Sequence, residues 1–399
     1  MNSLRQKIEG EIRACGPIPF SRYMELCLYD VEFGYYSRDA KQFGKAGDFY
    51  TSSDVHAVFG RLLARQFDEM WRALGSPDCI ELLELGPGRG LFAQDVLDWS
   101  ERKFPDFFRA LRYVLVERSP ALRQRIEQNL EHRLKSNKVI CIPEIPRAEE
   151  SEKGTAAILP SDKSYEHAPA RDVPVIVFGN EFFDALPVEI ASSNGSLRID
   201  TKEGRFLETW SPPSAEELEF LDRFSAHPDK DERIEIPLAS QAFMHRIAAR
   251  ISRGFFLAID YGYTREEQLA GRHRGTLKAI RQHSVSANPY EAPGEQDITV
   301  DVNFTALAAA AEMHGMATQK LITQSQFLLG IGEDNQFADA FEECRLLQER
   351  AKVALQLKHL VTPAGMGESF HVLLASKGVE QEKVEFLSGW NFGRNPIAR

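Results

Sequence analysis

Residues 80–85 (Ile-Glu-Leu-Leu-Glu-Leu) make a strand-length apolar run that breaks on Gly86-Pro87-Gly88-Arg89-Gly90 and resumes as a helical pattern from Leu91 to about Lys103. Strand, glycine-rich turn and helix in that order open a doubly wound α/β unit, so this short stretch restricts the fold more than any other feature. The remaining pattern extends it. Further strands are expected at residues 113–116, 139–142, 173–178, 255–260, 318–322 and 370–375. Helices are expected from Asp54 onward with Ser53 or Asp54 as N-cap, and over residues 121–134, 241–252, 304–314 and 336–360. Residues 1–75 read as a helical, loop-rich N-terminal extension, 76–187 and 239–378 as the core, and 379–399 as a tail. Residues 188–238 fit an inserted hairpin and helix, and the charged, polar stretch 147–171 an exposed flexible insertion.

The turn also carries chemistry. Glycines without a Cβ leave room for a ligand to lie against the backbone, and they tolerate unusual dihedrals. The spacing is G-x-G-x-G, whereas a dinucleotide site has G-x-G-x-x-G and seats a pyrophosphate on the helix N-terminus. This favours S-adenosylmethionine over NAD. Gly86, Pro87, Gly88 and Gly90 would form the shelf, with Glu84, two places before it, organising the turn or reaching the ligand's ammonium group. Glu117, at the end of the second strand, is positioned to accept the ribose hydroxyls.

Several further segments resemble one family. They are Gly16 to Met24, Gly34-Tyr35-Tyr36, Gly47-Asp48-Phe49-Tyr50-Thr51-Ser52, Glu84 to Gly90, and Asn180-Glu181-Phe182-Phe183-Asp184-Ala185-Leu186-Pro187-Val188. Gly275-Thr276-Leu277, Pro293-Gly294 and Asp297-Ile298-Thr299 follow. On these the chain resembles the class I adenosylmethionine-dependent methyltransferases related to mitochondrial complex I assembly factor 7, a protein arginine methyltransferase, and its bacterial relatives. The resemblance implies a Rossmann-like, mostly parallel seven-stranded sheet, and it implies that Asp48, Thr51 and Ser52 close over the cofactor. Two departures stand out. Ser53-Asp54 replace the family's Pro-Glu, and Val300-Asp301-Val302-Asn303-Phe304 replaces Ala-His-Val-Asp-Phe, so position 301 lacks the histidine that a general base there would need.

Methyl transfer from a sulfonium is an in-line displacement governed by how the acceptor is held, and it needs no metal. A guanidinium acceptor calls for carboxylates that fix its planar fork. Glu181 and Asp184, after the fourth strand, are the candidates, with Asn180 as a hydrogen-bonding partner. Asp260-Tyr261-Gly262, after the fifth strand, shares that sheet edge. His56, His273, His283 and His314 stand apart from other metal ligands in the sequence and read as structural, with His283 a secondary site candidate. A small-molecule acceptor, or an assembly factor that binds the cofactor without turnover, are the other readings.

A formal charge of −11 opposes nonspecific attraction to nucleic acid, so no nucleic-acid partner is expected, and the resemblance implies a protein substrate. No apolar run approaches the ~18 residues that span a bilayer, so no membrane insertion is expected. Five scattered cysteines and an N-terminus without an apolar leader point to the cytoplasm; a homodimer is compatible with this composition.

Overall fold

The computed structural model describes residues 3–37, 57–145, 173–281, 284–286 and 288–391. Asp48, Thr51, Ser52, Ser53, Asp54, His56 and His283 lie outside these residues, as does the whole of the 147–171 stretch.

Alternation along the central strands decides the layering. Ile80 and Leu82 join one apolar cluster while Leu83 and Leu85 join another, and Tyr113 and Leu115 are likewise separated from Val114 and Val116. A strand buried on both faces belongs to a parallel sheet covered by helices on both sides. We number the seven main strands β1 (Ile80–Leu85), β2 (Leu111–Val116), β3 (Val139–Ile142), β4 (Val175–Asn180), β5 (Gly254–Tyr263), β6 (Ala317–Thr318) and β7 (Phe370–Lys377). Their order is β6-β7-β5-β4-β1-β2-β3. β1 to β5 run parallel, and β7 lies antiparallel to β5 and β6. From β1 the chain proceeds outward on one side through β2 and β3, then returns to β1's other side at β4. That reversal is the switch point at which ligands bind in open α/β sheets.

Helices Ala57–Ala73 and Leu91–Lys103 cover one face, and Leu238–Ala248 and Phe304–Glu312 the other. Phe92 stacks on Phe178 with centroids 4.8 Å apart, which clamps the helix after the glycine turn onto β4.

A second sheet comprises Glu189–Ser192, Gly195–Lys202, Arg205–Ser211 and Arg233–Ile236, with helix Ala215–Phe224 beside it. Ile18–Pro19 pairs with Gly195–Lys202, and the N-terminal helices Ser3–Cys15 and Phe20–Tyr29 share an apolar cluster with Val188, Ile190, Leu197 and Ile199. The strands Lys278–Arg281, Ser284–Ser286 and Asp297–Thr299 form a third, small sheet.

Three expectations need correction. The helix expected over 336–360 is two helices, Ala338–Phe341 and Leu347–Val361, parted by residues 342–346, and the left-handed dihedrals of Gln336 and Phe337 (φ 55° and 57°) separate the first of them from a further helix, Gln324–Asp334. The strand expected at 318–322 is two short pieces against β7, Ala317–Thr318 and Ile322–Thr323. The helix expected over 121–134 is divided at Leu130 into Pro120–Asn129 and Glu131–Lys135.

Candidate functional site

The turn after β1 carries three glycines at positive φ, 61° at Gly86, 54° at Gly88 and 74° at Gly90. Their surroundings separate their roles. A Cβ on Gly86 would stand 3.0 Å from Phe182 Cδ2, and one on Gly90 would stand 3.1 Å from Leu130 Cδ1 and 3.3 Å from Ile126 Cγ1. A Cβ on Gly88 would meet no atom within 4 Å. Gly88 therefore faces open space, whereas Gly90 is bare so that the following helix can approach its neighbour. That differs from the ligand contact expected of Gly90.

The open space is a cavity of about 1270 Å³ beyond the carboxyl ends of β1, β2 and β4. Gly86, Pro87, Gly88, Glu117, Glu181 and Asp184 line it, so the structure brings the two groups of candidates to one place. Asn180 lines it as well. Glu84 does not. Being two residues after Leu82, Glu84 points into the apolar layer beneath the helices, where it is 5% exposed and accepts the Tyr113 hydroxyl at 2.8 Å. Burial pushes its carboxyl up to about 8, so the acid is tied to the strand pair rather than offered to a ligand.

Glu117 follows β2 and is 7% exposed. Its Oε1 accepts the Ser119 N–H at 2.8 Å, and the Gly88 N–H also bonds its carboxylate. Burial raises it to about 7, against the opposing pull of those two donors. The acid thus bridges the glycine turn and the loop after β2.

At the end of β4 the chain turns sharply. Glu181 has φ 49°, its N–H donates to the Ile259 carbonyl at 3.0 Å, and its Oε1 accepts Asn180 Nδ2 at 3.2 Å. Asp260, 1% exposed, holds the turn from β5: its Oδ2 accepts the backbone N–H of Phe182, Phe183 and Asp184 at 3.2, 3.1 and 3.4 Å. It supports the wall from behind. Asp184 is 6% exposed, and burial raises its carboxyl despite hydroxyl bonds from Tyr261 and Thr299.

Sequence reasoning assigned no role to the aromatic wall facing these acids. Tyr36 Oη donates to Asp297 Oδ1 at 3.0 Å, Tyr29 Oη donates to the Ala185 carbonyl at 2.9 Å, and Ser119 Oγ donates to the Tyr36 carbonyl at 2.7 Å. The segment carrying Gly34-Tyr35-Tyr36 thereby joins the Glu117 side of the cavity to the Asp184 side. The i, i+2 alternation of Asp297 and Thr299 was the available signal, since it puts both on one face of a strand.

The departure at residues 300–304 falls elsewhere. Asp301 pairs with His273 Nδ1 at 2.9 Å and does not line the cavity. Asn303 caps helix Phe304–Glu312 through the Ala306 N–H and donates to the Phe224 carbonyl. His314, isolated in sequence, meets His245 with ring nitrogens 3.2 Å apart on the cavity wall. Among the described residues no group of three or more His, Cys, Asp or Glu could hold a metal ion.

A family model described as "Putative S-adenosyl-L-methionine-dependent methyltransferase" matches residues 62–322. The mitochondrial protein arginine methyltransferase NDUFAF7 homolog of Drosophila melanogaster is 29% identical over 94% of this chain and 85% of its own length. The Homo sapiens NDUFAF7 protein is 27% identical over 90% of this chain and 80% of its own. A crystal structure of a Burkholderia thailandensis protein bound to S-adenosyl-homocysteine superposes with a TM-score of 0.75 at 26% identity, covering 95% of this chain and 92% of that one.

Proposed function

This chain belongs to the family of S-adenosyl-L-methionine-dependent methyltransferases, and from that premise we propose that it methylates the guanidinium of an arginine in a protein substrate. The observation that carries the reading is the meeting of a bare shelf at Gly88 with the carboxylates of Glu181 and Asp184 in one cavity. A cavity of about 1270 Å³ exceeds the range of about 300–1,000 Å³ usual for small-molecule pockets, which suits a cofactor together with a polypeptide segment. The curated relatives are named protein arginine methyltransferases.

Bound on the shelf, S-adenosylmethionine supplies a methyl group on a sulfonium that a nitrogen lone pair can displace. In this reading Gly88 leaves the space that a side chain would fill, and Pro87 lines it. Glu117 accepts the ribose hydroxyls. Glu181 and Asp184 accept guanidinium N–H groups in a planar, charge-assisted pair of contacts, with Asn180 holding Glu181 through its amide. As the new N–C bond forms and the C–S bond breaks, the carboxylate pair takes the proton that the methylated nitrogen sheds. Asp48, Thr51 and Ser52 remain proposed closing residues. The division into an N-terminal extension, a core and the 188–238 insertion belongs to the same proposal. So does a cytoplasmic setting, consistent with five free cysteines; the curated relatives are mitochondrial.

The test is transfer of radiolabelled methyl from S-adenosylmethionine to proteins of a cell extract, followed by hydrolysis to amino acids. Label in methylarginine is the expected result. Label confined to another amino acid, or to small molecules, would overturn the acceptor.

A further inference from the structure

Asp184 meets two hydroxyl groups delivered from different strands, and both converge on one of its oxygens. Thr299 Oγ1 donates to Asp184 Oδ2 at 2.8 Å, the Tyr261 hydroxyl reaches the same Oδ2, and the two hydroxyls also contact each other. The backbone is tied as well, because the Val300 N–H donates to the Asp184 carbonyl at 3.1 Å. Among the described residues the other carboxylate oxygen, Oδ1, is buried and has no hydrogen-bond partner.

Neither hydroxyl is free to wander. The Tyr261 ring packs edge-on against Phe370 with centroids 5.5 Å apart, and Lys278 Nζ lies 5.6 Å from its centroid. Thr299 is 2% exposed in the strand Asp297–Thr299, held by register to Lys278–Arg281. Without these contacts a carboxylate on a short side chain could rotate and exchange its oxygens.

We infer that Tyr261 and Thr299 are positioning residues that pin Asp184 Oδ2, so that the carboxylate stands on the cavity wall in a single orientation with Oδ1 left for the acceptor. The assignment rests on the proposed reading only in naming the acceptor's guanidinium as the cation that Asp184 meets. Asp184 is faced by Asp260 at its own sheet edge and by Tyr29 and Tyr36 across the cavity; Glu181 in turn faces Asp260, and Asp297 faces both tyrosines. Its burial favours the neutral form, and the two hydroxyl donors oppose that by stabilising the anion.

The experiment is a pH titration of the full-length protein carrying ¹³C-labelled aspartate carboxyls, with the Asp184 signal assigned by its loss in Asp184→Asn. Tyr261→Phe removes one donor to the anion, so the Asp184 midpoint should rise by about one pH unit. Thr299→Val should raise it too, and Thr299→Ser, which keeps the hydroxyl, should restore it. Retained adenosylhomocysteine binding shows that each variant is folded; should Tyr261→Phe fail that check, the Thr299→Val and Thr299→Ser pair decides. Midpoints unchanged in the hydroxyl-less variants would overturn the assignment. Guanidinium chloride at millimolar concentration, added with adenosylhomocysteine present, separates the two claims. A guanidinium-induced shift of the wild-type Asp184 signal that sodium does not reproduce supports both. A raised midpoint in Tyr261→Phe without any guanidinium response keeps the positioning role and counts against arginine as the acceptor.

Discussion

Asp260 Oδ2 accepts the backbone N–H of Phe183 at 3.1 Å, and this bond ties β5 to the turn that carries the acidic wall of the cavity. The same oxygen takes the N–H groups of Phe182 and Asp184. Asp260→Ala would leave buried donors without an acceptor, at a cost of about 3 kcal/mol in folding stability. Asp260→Asn keeps a carbonyl oxygen in place and should cost clearly less. Urea unfolding of the two variants measures the difference, and equal losses would show that the oxygen does not organise the turn.

Gly88 and Gly90 should fail in different ways when a side chain is added. Both carry the penalty of a left-handed dihedral, roughly 1–2 kcal/mol for a residue with a Cβ. Beyond that, Gly88→Val projects into the cavity and should abolish adenosylhomocysteine binding while the protein stays folded. Gly90→Val projects onto Leu130 and Ile126 and should chiefly lower the melting temperature. Calorimetric titration and thermal melts of the two proteins distinguish the outcomes. Normal cofactor affinity in Gly88→Val would remove the shelf from that position.

Glu84 gives the fold a pH dependence of known sign. Its carboxyl is raised to about 8 in the folded protein from an ordinary 4.5, so the folded state retains a proton that the unfolded state releases. Stability is therefore lost as pH rises from about 4.5 toward 8. Glu84→Gln, neutral at every pH and still able to accept from Tyr113, should be more stable than the wild type at pH 8 by on the order of a few kcal/mol. At pH 4 the two should match. A pH-independent difference between their unfolding free energies would contradict the assignment.

Glu181→Gln should leave adenosylhomocysteine affinity near the wild-type value and lower methyl transfer by about 100-fold, since the proton acceptor and the charge facing the guanidinium are both removed. Single-turnover assays separate the two effects. Unchanged transfer would take Glu181 out of the mechanism.

The sequence made the frame of this site legible because the frame is local. The run Ile80–Leu85, the glycines after it and Glu117 lie within one strand-turn-helix-strand unit, where spacing alone fixes geometry. Partners distant in the chain were hidden. Tyr261 and Asp184 are 77 positions apart, and Thr299 lies 115 beyond Asp184. Glu84 misled for a different reason. Its nearness to the glycines in sequence suggested a ligand contact, but strand alternation turns it into the apolar layer toward Tyr113. The helix expected over 336–360 begins late because hydrophobic periodicity cannot register the positive φ of Gln336 and Phe337, and it misses the break at residues 342–346 between Ala338–Phe341 and Leu347–Val361.

The most direct measurement is a crystal structure of this protein with adenosylhomocysteine. Its ribose hydroxyls should bond Glu117, its methionine part should lie against Gly88, and its sulfur should face the space bounded by Glu181 and Asp184. A nucleoside seated away from Glu117, or a sulfur turned from those two carboxylates, would contradict the account.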